Sequence, residues 1–463
     1  LFSYLQLNYV PAPYTMLQNV SKLEPGQSIL ISNSKVNPPK NYYTIPYDSK
    51  KVVDTEPNAY LSAQKTLYDK LEEAVELRLV SDVPLGTFLS GGIDSSIITS
   101  LAVQKVPDLQ SFSIGFKDEP YFDETSYARM VAKKAGTKHT VFEVSNKELL
   151  NNLDSVLGYF DEPFADSSAI AVYILCQQTK DHISVALSGD GADEVFSGYN
   201  KHMAEYKARH PGLKEKLVKG LSPIFEKIPQ SRNSSFTNFS RQLSKFSAGA
   251  KLSNKLRYWR WASIIDEEEA NYLIKEKESK RSQRLSDEAF VYKKRKEGFL
   301  KTIKKNGDIN DVLLTDVNLV LQNDMLKKVD CMSMANSLEV RTPFLDHNVV
   351  NYAFSLPVDF KINGRVRKKI LLDTFKNLLP DELLNRPKKG FEVPLLNWLQ
   401  NDLKNLIQNE LLSQKFILDQ GIFNVEAIEF LKAKLFSNNP GDSASTVWAV
   451  IVFQHWWKKH IEN

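Results

Sequence analysis

Two short stretches of the chain place the same residue types in the same order. In FLSGGIDSS, residues 88–96, the apolar pair Phe88 and Leu89 runs into Ser90, Gly91 and Gly92, then Asp94, Ser95 and Ser96. In VALSGDGADEVFSGY, residues 185–199, another apolar run ends on Ser188 and Gly189, followed by Asp190, Gly191 and Asp193. Glycine has no Cβ, so backbone N–H groups can approach an anion closely. Serines that open a helix add free N–H groups and the positive end of its dipole, an arrangement that attracts phosphate. An aspartate inside such a cradle repels phosphate unless a cation lies between them. Asp94 and Asp193 together suit a hard, oxygen-liking ion such as Mg²⁺. The Gly-Lys-Ser/Thr ending of the common nucleotide loop is missing. One SGG alone is more often a serine-capped turn; two matching loops favour the binding reading.

The elements around these loops must deliver both to one place. NAYLSAQKTLYDKLEEAVELRLV reads as a long amphipathic helix, ended before Pro84. LGTFLS, SFSIGF, KHTVFEV and ISVALS read as strands. SSIITSLAVQK, DETSYARMVAKKAG, NKELLNNLDSVLGYF and SAIAVYILCQQTK read as helices, the second closed by Gly136. Strand and helix alternate over residues 85–188. That grammar predicts an α/β fold, a parallel sheet wrapped by helices, with ligands at the carboxyl ends of the strands. Residues 1–59 read as a tail and linker, 60–200 as the nucleotide-binding core, and 201–463 as mostly helical. Residues 200–310 read as helical and rich in charge, and stretches such as LIKEKESKRSQR and YKKRKEGFLKTIKK mix acids with bases, the pattern of solvated helix faces.

Composition narrows the class. Sixty basic residues against fifty-six acidic ones leave a net charge of +4, which calls for neither nucleic acid nor a membrane surface as partner. The two cysteines, Cys176 and Cys331, allow no disulfide framework or CxxC site, and the expected location is the cytoplasm. VWAVIVF, residues 447–453, is too short to span a bilayer and reads as a buried helix.

SGGxDS at a strand end resembles the PP-loop ATP pyrophosphatases, which cleave ATP between its α- and β-phosphates. DEPFADSSAI (161–170), LSGDGADEVFSGY (187–199), MSMANSLEVRTPFLDH (332–347) and LLPDELLNRPKKGFEVPL (378–395) resemble the glutamine-hydrolysing asparagine synthetase family. The resemblance implies ATP and Mg²⁺, with aspartate attacking the α-phosphorus to give β-aspartyl-AMP and pyrophosphate. Ammonia then displaces AMP. It places Ser90, Gly91, Gly92, Asp94, Ser95 and Ser96 on pyrophosphate, Asp94 and Asp193 on the metal, and Phe88, Ile114, Ser188 and Gly189 on adenosine. It places Asp190 beside the reacting centre and Lys388 on the α-phosphate. By composition alone RPKK is a basic run on a surface. A fixed ammonium beside a phosphorus gathering charge is nonetheless sound chemistry. Arg341 suits equally a substrate carboxylate and a structural ion pair.

The chain departs from the pattern in places. Asp166, Ser167 and Ser168 stand where some members carry an arginine, and Asp330-Cys331 where many have Asp-Arg. These bear on the acceptor, so an amidotransferase acting on a sugar or peptide carboxylate stays open, as does a nucleotide-binding protein without catalysis. The opening LNYVPAPYTM…VSKLEPGQ is similar to the family's junction between glutaminase and synthetase domains, so residues 1–59 are expected to be the end of a glutaminase domain. That domain's nucleophile is an N-terminal cysteine, whereas this chain starts with Leu1. A homodimer is compatible with the resemblance.

Overall fold

The computed structural model describes residues 1–47, 51–52, 57–212, 235–274, 281–384, 390 and 392–462. Its centre is a five-stranded sheet of β5 (Leu85–Phe88), β6 (Gln110–Phe116), β7 (Lys138–Val144), β8 (Val185–Leu187) and β9 (Glu339–Arg341). The order is β7-β6-β5-β8-β9, and every pair is parallel. β6 is buried at every position after Gln110, as expected of a strand with both faces covered. Four earlier strands, β1 (Gln27–Ser28), β2 (Ile31–Ser32), β3 (Lys35–Val36) and β4 (Lys40–Asn41), pair as two small antiparallel ribbons apart from this sheet.

Helices fill the connections. Helix α1 (Phe2–Leu7) opens the chain and α2 (Ala59–Arg78) precedes β5. Helix α3 (Ile93–Lys105) carries β5 to β6 and α4 (Thr125–Ala135) carries β6 to β7. Gly136 closes α4 at φ 81°, its N–H on Ala132 O, the left-handed stop that glycine makes cheap. Helices α5 (Asn146–Asn151), α6 (Leu153–Tyr159) and α7 (Ala169–Lys180) lead to β8. One core packs α1, α7 and the C-terminal helix Ser443–His460 together with sheet residues such as Phe112 and Ile114. A second packs α2 and α3 with the helices of residues 344–379.

Two expectations need correction. Residues 1–12 are no loose tail: Tyr4 and Leu5 are wholly buried, and the Tyr4 hydroxyl donates to Ala449 O at 2.7 Å. The alternation of aromatic and apolar residues in LFSYLQLNYV is a core signal. NKELLNNLDSVLGYF breaks at Asn152 into two helices. The mostly helical region after 200 also supplies the edge strand β9, from LEVRT. Three residues are too few for a periodic signal to register. Arg341 on that strand donates to Glu339 Oε1 at 2.6 Å and to Val80 O at 2.7 Å, which makes it structural. Among the described residues no helix is long and apolar enough to cross a membrane.

The second core holds a wholly buried lysine. Lys361 Nζ donates to Asn310 Oδ1 at 2.8 Å and lies 4.8 Å from the Phe354 ring centre. Burial pushes its ammonium down to about 7. The unfolded chain keeps that proton up to about pH 10. Between these values the unfolded state binds more protons, so stability rises with pH across the window. Lys361→Met is expected to raise Tm by a few degrees at pH 7.5, with the gain shrinking toward pH 10. Thermal melts at the two pH values check it; a lower Tm at both would refute it.

Candidate active site

β5 and β8 lie side by side, and the strand order reverses between them. Ligands of open parallel sheets sit at such a switch point. Leu89 N–H donates to Phe112 O at 2.8 Å and Ser188 N–H to Arg341 O at 2.9 Å, so both strands stay pinned up to their loops. The first loop is then tied by its own serines. Ser90 N–H donates to Ser95 Oγ at 3.2 Å, and Ser95 Oγ–H to Gly92 O at 3.2 Å. Gly91 holds φ +73°, and a Cβ there would come within 2.7 Å of Ala128 N. Any other residue would be strained and would push the loop off α4.

The two loops are in direct contact. A Cβ on Gly189 would stand 2.6 Å from Ser95 N, at the first turn of α3. The second loop therefore leans on the N-terminus of the helix that the first loop opens. Around them is a cavity of about 1130 Å³. Phe88, Ser90, Gly91, Gly92, Asp94 and Ser95 line it from the first loop; Ser188, Gly189, Asp190 and Asp193 line it from the second. Ile114 lines a smaller recess that shares Phe88 and Ser90 with the main cavity. Ser96 does not reach either. It is wholly buried, and its Oγ–H donates to Gly92 O at 2.6 Å, which holds the turn. Lys388 lies outside the described residues, while Gly390 and Glu392 line the cavity.

Lys368, which the sequence reading missed, sits between the two acids. Its Nζ donates to both oxygens of Asp94 at 2.6 Å and forms an ion pair with Asp193. Burial opposes its charge, and Asp193 and Asp94 more than offset that, so its ammonium stays protonated well into the alkaline range. Lys368 also takes φ +52°, unusual for a side-chain-bearing residue, where the helix Lys369–Phe375 begins. A positive φ at a lysine is invisible in a sequence, which explains the miss.

A second ionic group lies deeper. Lys328 Nζ donates to Asp166 Oδ2 at 2.7 Å and to Ser168 Oγ at 3.0 Å. Asp324 and Asp190 line the same cavity. Burial lifts the Asp190 carboxyl above its ordinary range, and Asp94 and Asp193 add to it, while its bond from Ser188 Oγ (2.7 Å) and Lys328 pull the other way. Burial and then Asp166 raise Asp324 strongly. Burial also works against an ionised Asp166, but Lys328 outweighs it and holds that carboxyl low. Lys328 and Asp324 come from a helix 160 residues downstream of Asp166. No local spacing links them, and in the sequence Asp166, Ser167 and Ser168 stand out only as a departure from the family pattern.

A parallel sheet with two glycine–serine loops meeting at its switch point is the architecture of the PP-loop α/β proteins. Comparison with known proteins is more specific. The model of the asparagine synthase family matches residues 66–458. Asparagine synthetase [glutamine-hydrolyzing] 1 of Bacillus subtilis (strain 168) is 31% identical over 99% of this chain, which spans 68% of that protein's length. A putative asparagine synthetase [glutamine-hydrolyzing] of Mycobacterium tuberculosis (strain ATCC 25618 / H37Rv) is 30% identical over 86% of the chain, here covering 58% of the relative. Amidase chry2 of Gibberella zeae is 21% identical over 95% of the chain. The chain belongs to the asparagine synthase family.

Proposed function

We propose that the chain is an ATP-dependent ligase that turns a carboxylate, aspartate foremost, into its amide through an acyl-adenylate. The observation that carries this reading is the contact of Gly189 with the first turn of α3, which joins the two loops into one phosphate cradle. The carboxylate oxygen attacks the α-phosphorus, the bond to the β-phosphate breaks, and pyrophosphate leaves from the cradle. Ammonia then attacks the acyl carbon, AMP departs with the bonding pair, and the nitrogen gives up a proton. Asp190, its carboxyl raised by burial, is the group assigned to accept it. Lys388 remains the residue assigned to the α-phosphate, by resemblance. Lys368 is placed to bear on the phosphate chain once an anion enters.

Among the described residues no group of three or more His, Cys, Asp or Glu could hold a metal by itself. Two carboxylates plus phosphate oxygens and water is the donor set that Mg²⁺ takes, so Asp94 and Asp193 fit it. Bound there with ATP, Mg²⁺ supplies charge neutralisation along the phosphates. Neither cysteine serves glutamine hydrolysis: Cys176 is wholly buried and burial pushes its thiol far up, and burial raises Cys331 as well. In the family's two-domain proteins that chemistry belongs to a glutaminase part, and we assign it to such a partner.

The test is to supply ATP, Mg²⁺, ammonium salt and candidate acids, and to measure AMP, pyrophosphate and amide. We expect AMP and pyrophosphate with aspartate, amide from ammonium salts and none from glutamine alone. ADP with orthophosphate would overturn the reading. A second reading, an amidotransferase on a larger carboxylate, has two observations in its favour. The cavity, about 1130 Å³, exceeds the usual ~300–1,000 Å³ of small-molecule sites, and relatives named amidases match most of the chain.

A further inference from the structure

The turn that carries Lys368 also brings two arginines to the cavity. Arg365 and Arg367 both line the cavity. The turn is rigid. Asn363 Oδ1 accepts from Arg365 N–H at 3.0 Å and from Val366 N–H at 2.8 Å, and Asn363 N–H donates to Val366 O at 3.0 Å. On its far side the left-handed Lys368 starts a helix and clamps the two loop acids.

Arg367 is half-buried, and its Nη1 donates to the side-chain oxygen of Asn200. Among the described residues it forms no ion pair. That is an unusual state for a partly desolvated guanidinium, which is normally paired when taken out of water. Burial lowers its hold on its proton, and nearby Asp193 offsets this in part. Its partner Asn200 is held in place. Asn200 opens the helix Asn200–Arg209, where Lys201 donates to Asp316 Oδ1 at 2.7 Å and His202 bonds Asp316 Oδ2 at 2.6 Å. Asp316 is wholly buried. A guanidinium fork bonded to Asn200 thus lines the cavity beside the two loops and, among the described residues, has no direct ion-pair partner.

We propose that Arg367 grips the terminal phosphates of the nucleotide, and afterwards the free pyrophosphate, with Asn200 holding its guanidinium in register. Planar, forked donors match phosphate oxygens in pairs, which a lysine does not do. The proposal rests on the ATP reading above and adds a phosphate contact from outside the two strand-end loops.

The experiment titrates inorganic pyrophosphate into the full chain by calorimetry, for wild type, Arg367→Ala, Arg367→Gln and Arg367→Lys, with thermal melts as the check on folding. Loss of a charged, two-pronged contact is expected to weaken pyrophosphate about tenfold to a hundredfold in the alanine and glutamine variants. Lysine should restore only part of it. The KM for ATP should rise in parallel, and the KM for the carboxylate should not move. Equal pyrophosphate affinity in wild type and in a folded Arg367 variant overturns the assignment and leaves the AMP-forming reading intact. A wild type that takes up no pyrophosphate overturns both. For Asn200→Ala, a weaker pyrophosphate affinity at unchanged Tm marks it as a positioning residue; an unchanged affinity removes it from the proposal.

Discussion

Replacing Lys328 with methionine should destabilise the chain by about 3–5 kcal/mol at neutral pH, the usual result of stripping one partner from a buried ion pair. The methionine fits the space well, so the loss is electrostatic. Lys328 holds Asp166 at 2.7 Å, and Asp190 and Asp324 face the same cavity. Burial works against the ammonium, but Asp166 and Asp324 outweigh it and raise its affinity for the proton. With the cation gone, Asp166 loses what holds its carboxyl low, and burial drives it up. The folded variant must then carry protons on acids that the unfolded chain releases near pH 4. It binds more protons than the unfolded state, and its stability falls as pH rises from about 4 toward 7. The deficit against wild type should therefore be small in acid and full at neutrality. Denaturant melts at pH 4.5 and 7.5 decide it. A deficit independent of pH would mean that packing, and not charge, is what Lys328 provides. Amide synthesis should fall sharply in either case, because the cavity would lose the cation that can face an incoming carboxylate.

Asp190→Asn should separate the two halves of the reaction. Asparagine is nearly isosteric with aspartate and can still accept from Ser188 Oγ, so the loop should keep its form. The amide cannot take the proton that ammonia loses on attack. Such general-base losses run to about 10²–10⁴. Amide formation should fall on that scale while single-turnover pyrophosphate release changes little. The raised pKa gives a second handle. In wild type the amide-forming step should slow as pH drops through the Asp190 value, because the protonated carboxyl cannot accept. In the variant that limb should disappear. Quenched-flow measurement of both products across pH 5–8 is the check; equal loss in both steps would place Asp190 in adenylate formation instead.

The parts of the molecule that were legible in the sequence are those built from local repetition. Four of the five sheet strands carried runs of β-branched and aromatic residues, and the glycine–serine loops announced themselves by matching each other. The cavity-lining residues Ser90, Gly91, Gly92, Asp94, Ser95, Ser188, Gly189 and Asp190 could be named because they fall in two short, matching stretches. What escaped was everything that tertiary packing assembles. Lys368, Arg367 and Lys328 are ordinary lysines and arginines in charged stretches. Their meaning comes from Asp94, Asn200 and Asp166, between 160 and 275 residues away in sequence. Burial of α1 escaped for a similar reason: six residues give no helical periodicity that a short loop could not mimic.

The helix that carries Asp324 changes its winding along its length. Residues Val317–Met325 form wide π turns, and Leu326–Met334 continues as an α-helix. A wide turn bonds each N–H one residue further back than an α turn does, so it takes up an extra residue for the same advance. It acts as a phase shifter between the buried Asp316 upstream and Lys328 downstream. Each α-helical residue turns the chain by about 100°. Shortening the segment by one residue, with the turns tightening to compensate, would swing Lys328 through roughly that angle and part its ammonium from Asp166. The ionic floor of the cavity is thus set by a residue count, independently of which side chains fill the wide turns.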